Sequence, residues 1–307
     1  RRFLQVLLLP TLFLFTAFGA EEEALAARMP EVRQFTLSNG MQFLVVRRSE
    51  APVFHGVITF RVGGVDDPKN VSGMAHLFEH MAFKGTKAIG TKDWAKEKPL
   101  LEQIEAVGEE LTALEISEGG PARRAALRLE LDRLQAEHKT LIHQNELAEI
   151  YTEAGGSRMN ATTGNDRTNY FISLPSNRLE LWMLVESERL RDPVLREFYV
   201  ERDVVPEERR MRVDTSPQGL MFESLLATAF TAHPYRVPVI GWMSDIQKLT
   251  MTQARAFYDQ YYSPDNGFGV IVGDVDLAKT RALLERYFGR IPKRGAPPLI
   301  PTVEPPQ

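Results

Sequence analysis

Apolar and polar positions alternate over residues 34–37 and again over 41–46, with Asn39-Gly40 between them. Alternation of period two puts one face of a strand against a core, and Asn-Gly tolerates the left-handed backbone of a tight turn. A two-residue hairpin is therefore expected at the start. A third strand is predicted over 53–62, ended by Gly63-Gly64. The period then lengthens. From Ser72, a helix-capping residue type, a helix is predicted through 73–83, stopping near Gly85. Strand-like runs return at 159–162 and 168–174, about the turn-rich Gly164-Asn165-Asp166. Helical patterns occupy 177–190, 196–213 and 217–230. A loop rich in Pro and aromatics (233–242) precedes a helix over 252–262, a strand over 268–272 and a helix over 277–288. Elements interleaved in this way, and opening on a hairpin, predict an α+β fold. Its sheet is mostly antiparallel and flanked by helices, rather than doubly wound and parallel.

Residues 91–149 have a different texture, dense in Glu, Lys, Arg and Leu. Leu127, Leu131, Leu134 and Leu141 recur near helical spacing, and Gly119-Gly120-Pro121 divides the stretch. An inserted charged helical hairpin is the natural reading, its charges forming a solvated face.

The ends carry their own signals. Arg1-Arg2 precede an apolar run over 3–18 broken by Gln5, Pro10 and Thr11, and small residues follow at Ala17, Gly19 and Ala20. This order predicts a signal peptide over 1–26 and a secreted or periplasmic destination; the rival is an uncleaved membrane anchor. Six prolines fall in the sixteen residues from Pro292 to Gln307. Residues 293–307 are thus expected to be an extended linker toward a second part of the protein, with a catalytic unit over 30–292.

The 307 residues, 43% hydrophobic and 25% charged, have average globular composition. The net charge of −4 gives no basic excess that would point to nucleic acid. There is no cysteine. Disulfides, thiolate metal sites and Cys nucleophiles are excluded, so a metal must rest on His, Asp and Glu.

His76-Leu77-Phe78-Glu79-His80 then becomes the chemical centre. On a helix His76 and His80 lie one turn apart on one face, within reach of a single Zn²⁺. Glu79 can reach a metal-bound water without being a ligand; this is the HxxEH arrangement. The plain alternative is a helix whose two His and one Glu are satisfied in a polar core. Apolar neighbours Met74, Ala75, Leu77, Phe78, Met81 and Phe83 weigh against it, because burying those groups unpartnered is costly. Two His leave the site short of a third ligand. Glu201 and Glu208, two helical turns apart, share a helix face and are both candidates, against the alternative of an exposed salt-bridged helix.

These runs together resemble the pitrilysin-like zinc metallopeptidases, the family of insulin-degrading and mitochondrial processing peptidases. The likeness covers about 33–292. It rests on Gly73 to Thr86, on Gly156-Ser157-Arg158-Met159-Asn160-Ala161-Thr162-Thr163 with Asp166, Thr168 and Tyr170, and on Glu201-Arg202-Asp203-Val204-Val205-Pro206-Glu207-Glu208-Arg209. Phe257-Tyr258, Tyr261 to Asn266 and Gly273-Asp274 add to it.

The resemblance implies one Zn²⁺ per chain on His76, His80 and Glu208, with Glu79 as the general base of a peptide-bond hydrolysis by metal-activated water. It implies that Glu201 supports the site from behind the ligands. Asn160 and Ala161 match an edge strand that pairs with substrate backbone, and Phe83 matches a residue lining the pocket after the scissile bond. The implied partners are a peptide or small-protein substrate and a second homologous half, in the same chain or a separate subunit. A non-proteolytic scaffold subunit is the alternative; such subunits usually lose site residues, and this chain keeps them. Two departures stand out: Glu208 follows His80 at unusual distance, explained by the 91–149 stretch, and Pro206 is expected to kink or restart the helix between Glu201 and Glu208.

Overall fold

The computed structural model describes residues 31–295 and 297–306. The signal peptide expected over 1–26 lies outside the described residues. Among those described, no helix is long and apolar enough to cross a membrane.

Six strands form one sheet: β1 (Val32–Thr36), β2 (Gln42–Arg47), β3 (Val53–Phe60), β4 (Ser157–Thr163), β5 (Thr168–Pro175) and β6 (Gly267–Gly273). Their order is β1-β2-β6-β3-β5-β4, which leaves β1 and β4 at the edges. Every pairing is antiparallel except β2 with β6. The fold is α+β, as the pattern predicts. The first hairpin differs in detail. Leu37 pairs with Met41 through Leu37 N–H to Met41 O (2.9 Å), so the turn takes three residues and only Gly40, at φ +87°, is left-handed. Asn39 is instead drawn inward, and its Nδ2 donates to Phe288 O and Ile291 O at 2.8 and 2.9 Å.

The helices are α1 (Met74–Met81), α2 (Trp94–Ile116), α3 (Pro121–Leu141), α4 (Glu146–Glu153), α5 (Leu179–Arg191), α6 (Phe198–Arg209), α7 (Pro217–Ala229), α8 (Met243–Ile246), α9 (Met251–Tyr261) and α10 (Leu277–Tyr287). Strand residues Phe54, Ile58 and Phe60 point into the core, while Val53 on the opposite face is exposed. One face of the sheet is therefore covered by helices. Gly56 makes room for this: a Cβ there would lie 2.6 Å from the Trp182 ring of α5.

Two further local expectations are corrected. Helix α1 is shorter than 73–83 and is not capped by Ser72, whose hydroxyl donates to Asp245 Oδ2 (2.6 Å). Asp67 takes that role from a distance, accepting from Gly73 N–H (2.7 Å) and Ala75 N–H (2.8 Å). Helix α6 does not break at Pro206. It runs through the buried proline and continues into a π-helical turn, Arg210–Asp214, with the buried arginines Arg202 and Arg209 on either side of the proline. The 91–149 stretch forms the expected helical hairpin, α2 and α3, with its charges on the solvated side except buried Glu97. Leu100, Ile104, Leu111, Leu127, Leu131 and Leu134 join the main core. Its outer faces carry ion pairs such as Arg123–Glu110 (2.7 Å).

The hairpin seats on α6 at Gly108, where a Cβ would come within 2.1 Å of the buried Tyr199 ring. Gly108→Ala should overpack this contact, cost about 1–3 kcal/mol and lower the Tm by several degrees in a circular dichroism melt. Gly119→Ala, whose added Cβ would meet its nearest neighbour, the Ser117 hydroxyl, at 3.3 Å, should change stability by less than about 0.5 kcal/mol. Equal effects at the two positions would contradict this packing.

Candidate metal centre

The seat of α1 is set by backbone contact at its start. Gly73 has φ +88°, and a Cβ there would lie 2.7 Å from Ile240 O. Fixed at that end, α1 presents His76 and His80 on one face with ring centroids 4.8 Å apart. Helix α6 brings Glu208 opposite them. Glu208 Oε1 lies 3.7 Å from His76 Nε2, and Oε2 lies 3.5 Å from His80 Nε2. One ligand atom from each residue falls within 4.8 Å of the others, and among the described residues this is the one such His/Asp/Glu group. Zinc bonds of about 2.0–2.2 Å in a tetrahedron place neighbouring ligand atoms about 3.3 Å apart. The observed spacings are close to that, so the donor set fits zinc in both chemistry and size.

The electrostatics set the two histidines apart. Burial, with help from His80 and Arg212, pushes the His76 imidazole down to about 3, so it is neutral. Its Nδ1 is buried without a hydrogen-bond partner, a cost that metal binding at Nε2 would offset. His80 Nδ1 faces Glu201 Oε2 at 3.2 Å. Burial alone would raise the Glu201 carboxyl, but hydrogen bonds from His80 and Lys84 and their charges hold it down at about 2. Glu201 is therefore the acceptor for the His80 Nδ1 proton. Burial alone would lower the His80 imidazole, but the Glu201 hydrogen bond and the Glu208, Glu201 and Glu79 charges raise it above its ordinary value, so a metal at Nε2 would displace a proton there. Burial raises Glu79 above the ordinary carboxylate range, partly countered by the Thr163 hydroxyl bonded to its Oε2 and by His80.

The remaining predicted residues are dispersed around this cluster. Asn160 and Ala161 lie on β4, which pairs only with β5 among the described strands and whose other edge is open. The last residue of β4, Thr163, makes the bond to Glu79. Phe83 follows α1 and is half-buried, its ring 6.1 Å from Tyr170 and 5.4 Å from the Arg189 guanidinium. Lys84, Thr163 and Asp67 carry contacts that sequence reasoning missed. Lys84 stands one helical turn after His80, a spacing that could have flagged it. Asp67 had no local signal.

A family model described as "Insulinase (Peptidase family M16)" matches residues 45–118 and 131–241, and one described as "Peptidase M16 inactive domain" matches 248–307. Zinc protease PqqE of Helicobacter pylori is 28% identical over 278 residues, covering 90% of this chain and 50% of that protein. The crystal structure of a protease from Helicobacter pylori superposes with TM-score 0.66 at 27% identity, over 91% of this chain and 53% of that one. The first half of the periplasmic protease PqqL from Escherichia coli superposes with TM-score 0.64 at 22% identity, over 90% and 50%, and shows a shared fold. The chain spans about half the length of the relatives it matches.

The distances predict one equivalent of zinc per chain by titration against a chromophoric chelator. Glu208→Ala should abolish stoichiometric binding. Glu201→Gln should weaken it by about 10–100-fold, the usual effect of removing a ligand's hydrogen-bond partner. Unaltered zinc content in Glu208→Ala would remove it from the ligand set.

Proposed function

Because the chain belongs to the insulinase family, peptidase family M16, we propose that it is the zinc-holding half of an endopeptidase. One observation carries the proposal: His76, His80 and Glu208 converge while Glu79, on the same helix, stands beside them.

Zinc bound there would polarise the scissile carbonyl and acidify a water. Glu79 takes a proton from the attacking water and returns it to the leaving amine. Its raised affinity for protons suits that exchange, and the Thr163 hydroxyl fixes one of its oxygens, leaving the other free to turn to the reacting atoms. Glu201 holds the His80 ring in the ligating tautomer. The open edge of β4, at Asn160 and Ala161, offers main-chain groups to an extended peptide, a pairing that needs no fixed side-chain sequence. Phe83, placed just after α1, lines the pocket for the residue that follows the scissile bond. A second homologous half completes the enzyme, in keeping with relatives about twice the length of this chain. Periplasmic placement rests on similarity to PqqL, described as periplasmic, and on the predicted leader. The scaffold alternative is disfavoured because every proposed ligand and the base are in place.

Glu79→Gln should keep one zinc per chain and lower peptide hydrolysis by about 10²–10⁴-fold. The assay uses a quenched fluorescent peptide, with this chain alone and with a second half added. Undiminished turnover in that variant would remove Glu79 as the base.

A further inference from the structure

Lys84 is more closely held than its position at the end of a helix requires. Its Nζ bridges two carboxylates of α6, Glu201 Oε1 at 2.5 Å and Glu197 Oε2 at 3.0 Å. Glu201 uses its other oxygen on His80 Nδ1. The order of contacts is thus Glu197, Lys84, Glu201, His80.

Glu197 and Lys84 are each anchored. Glu197 caps α6 with φ +57°, a left-handed conformation costly for a glutamate, and its second oxygen accepts from Gln144 Nε2 at 2.8 Å. On the other side the 84–90 loop is gripped by buried Arg196. That guanidinium donates to Lys84 O (3.0 Å), Ile89 O (3.1 Å) and Thr86 O (2.7 Å). Arg196 is paired in turn with Glu97 of α2 at 2.5 Å, and Glu97 meets His138 of α3 at 3.1 Å. The charged hairpin therefore reaches the metal-site loop through one buried arginine.

The charge count explains why a cation is needed there. Glu79, Glu197, Glu201 and Glu208 crowd the same corner, faced by Lys84 and by Arg212, which pairs with Glu208 at 2.9 Å. Without Lys84, Glu197 and Glu201 would repel each other, and Glu201 would swing away from His80.

We infer that Lys84 is a positioning residue for the metal centre, holding Glu201 against His80 so that the imidazole presents Nε2 to the ion. The inference rests on the zinc reading proposed above. Lys84→Met preserves length and removes the bridge; Lys84→Arg restores a cation able to span two carboxylates. Zinc titration of the metal-free protein should show affinity about 10–100-fold weaker in Lys84→Met and largely recovered in Lys84→Arg. The visible spectrum of the cobalt-substituted protein should change in Lys84→Met, while the metal-free Tm stays near that of the parent. Parental zinc affinity in Lys84→Met overturns the inference. So does a large fall in metal-free Tm with affinity unchanged, which assigns Lys84 to the fold alone. A parent chain that binds no zinc overturns the zinc reading and this inference with it.

Discussion

The candidate metal centre depends on how α6 is laid across α1, and buried arginines contact the fold on either side of that crossing. Glu201 and Glu208 are seven residues apart and face α1. Arg202 and Arg209, each one position later, face the other way into the fold. Arg202 Nη1 donates to Thr112 Oγ1 (2.9 Å) and Leu249 O (3.3 Å). Arg209 Nη1 donates to Gly241 O (2.8 Å) and also lies 2.8 Å from Glu223. Arg196, just before the helix, pairs with fully buried Glu97. Burying a guanidinium is expensive unless its hydrogen bonds are met; Arg202 and Arg209 bond through their Nη atoms, while each Nε is buried without a hydrogen bond. Helix α6 is held at two points along its length and at a third just before it, and these contacts set where Glu208 lies.

Those contacts also explain why Pro206 is tolerated. A proline costs a helix one hydrogen bond and some bending. With Arg202 and Arg209 bonded into the fold on either side of it, the helix continues through Pro206 and the two acids remain on one face. The same anchoring links regions that look independent in sequence. The hairpin, the 84–90 loop and the loop near Gly241 all meet α6 through an arginine.

Much of this was legible in the sequence because the signals were local. Alternation located all six strands, and the His76–Glu79–His80 spacing located the site, since one turn of helix is enough to define it. Glu201 and Glu208 were legible as a shared face. What escaped were contacts between distant positions. Asp67 caps α1 from outside the helix, and nothing in its neighbours marks it. Glu97 and His138 sit among many solvated charges, and composition cannot tell which two turn inward to Arg196. Ser72 had the right chemistry for a cap but was used elsewhere, by Asp245. The first turn needed one residue more than Asn39-Gly40 suggests, because Asn39 serves the end of α10.

The metal site proposed above has one zinc ion held by the Nε2 atoms of two histidines on α1 and by a carboxylate on α6. Anomalous diffraction at the zinc edge from crystals of the zinc-loaded protein tests it most directly. A single peak is expected about 2.0–2.2 Å from His76 Nε2, His80 Nε2 and a Glu208 oxygen, with His80 Nδ1 still on Glu201. A peak elsewhere, or ligation through His80 Nδ1 with Glu201 displaced, would contradict it.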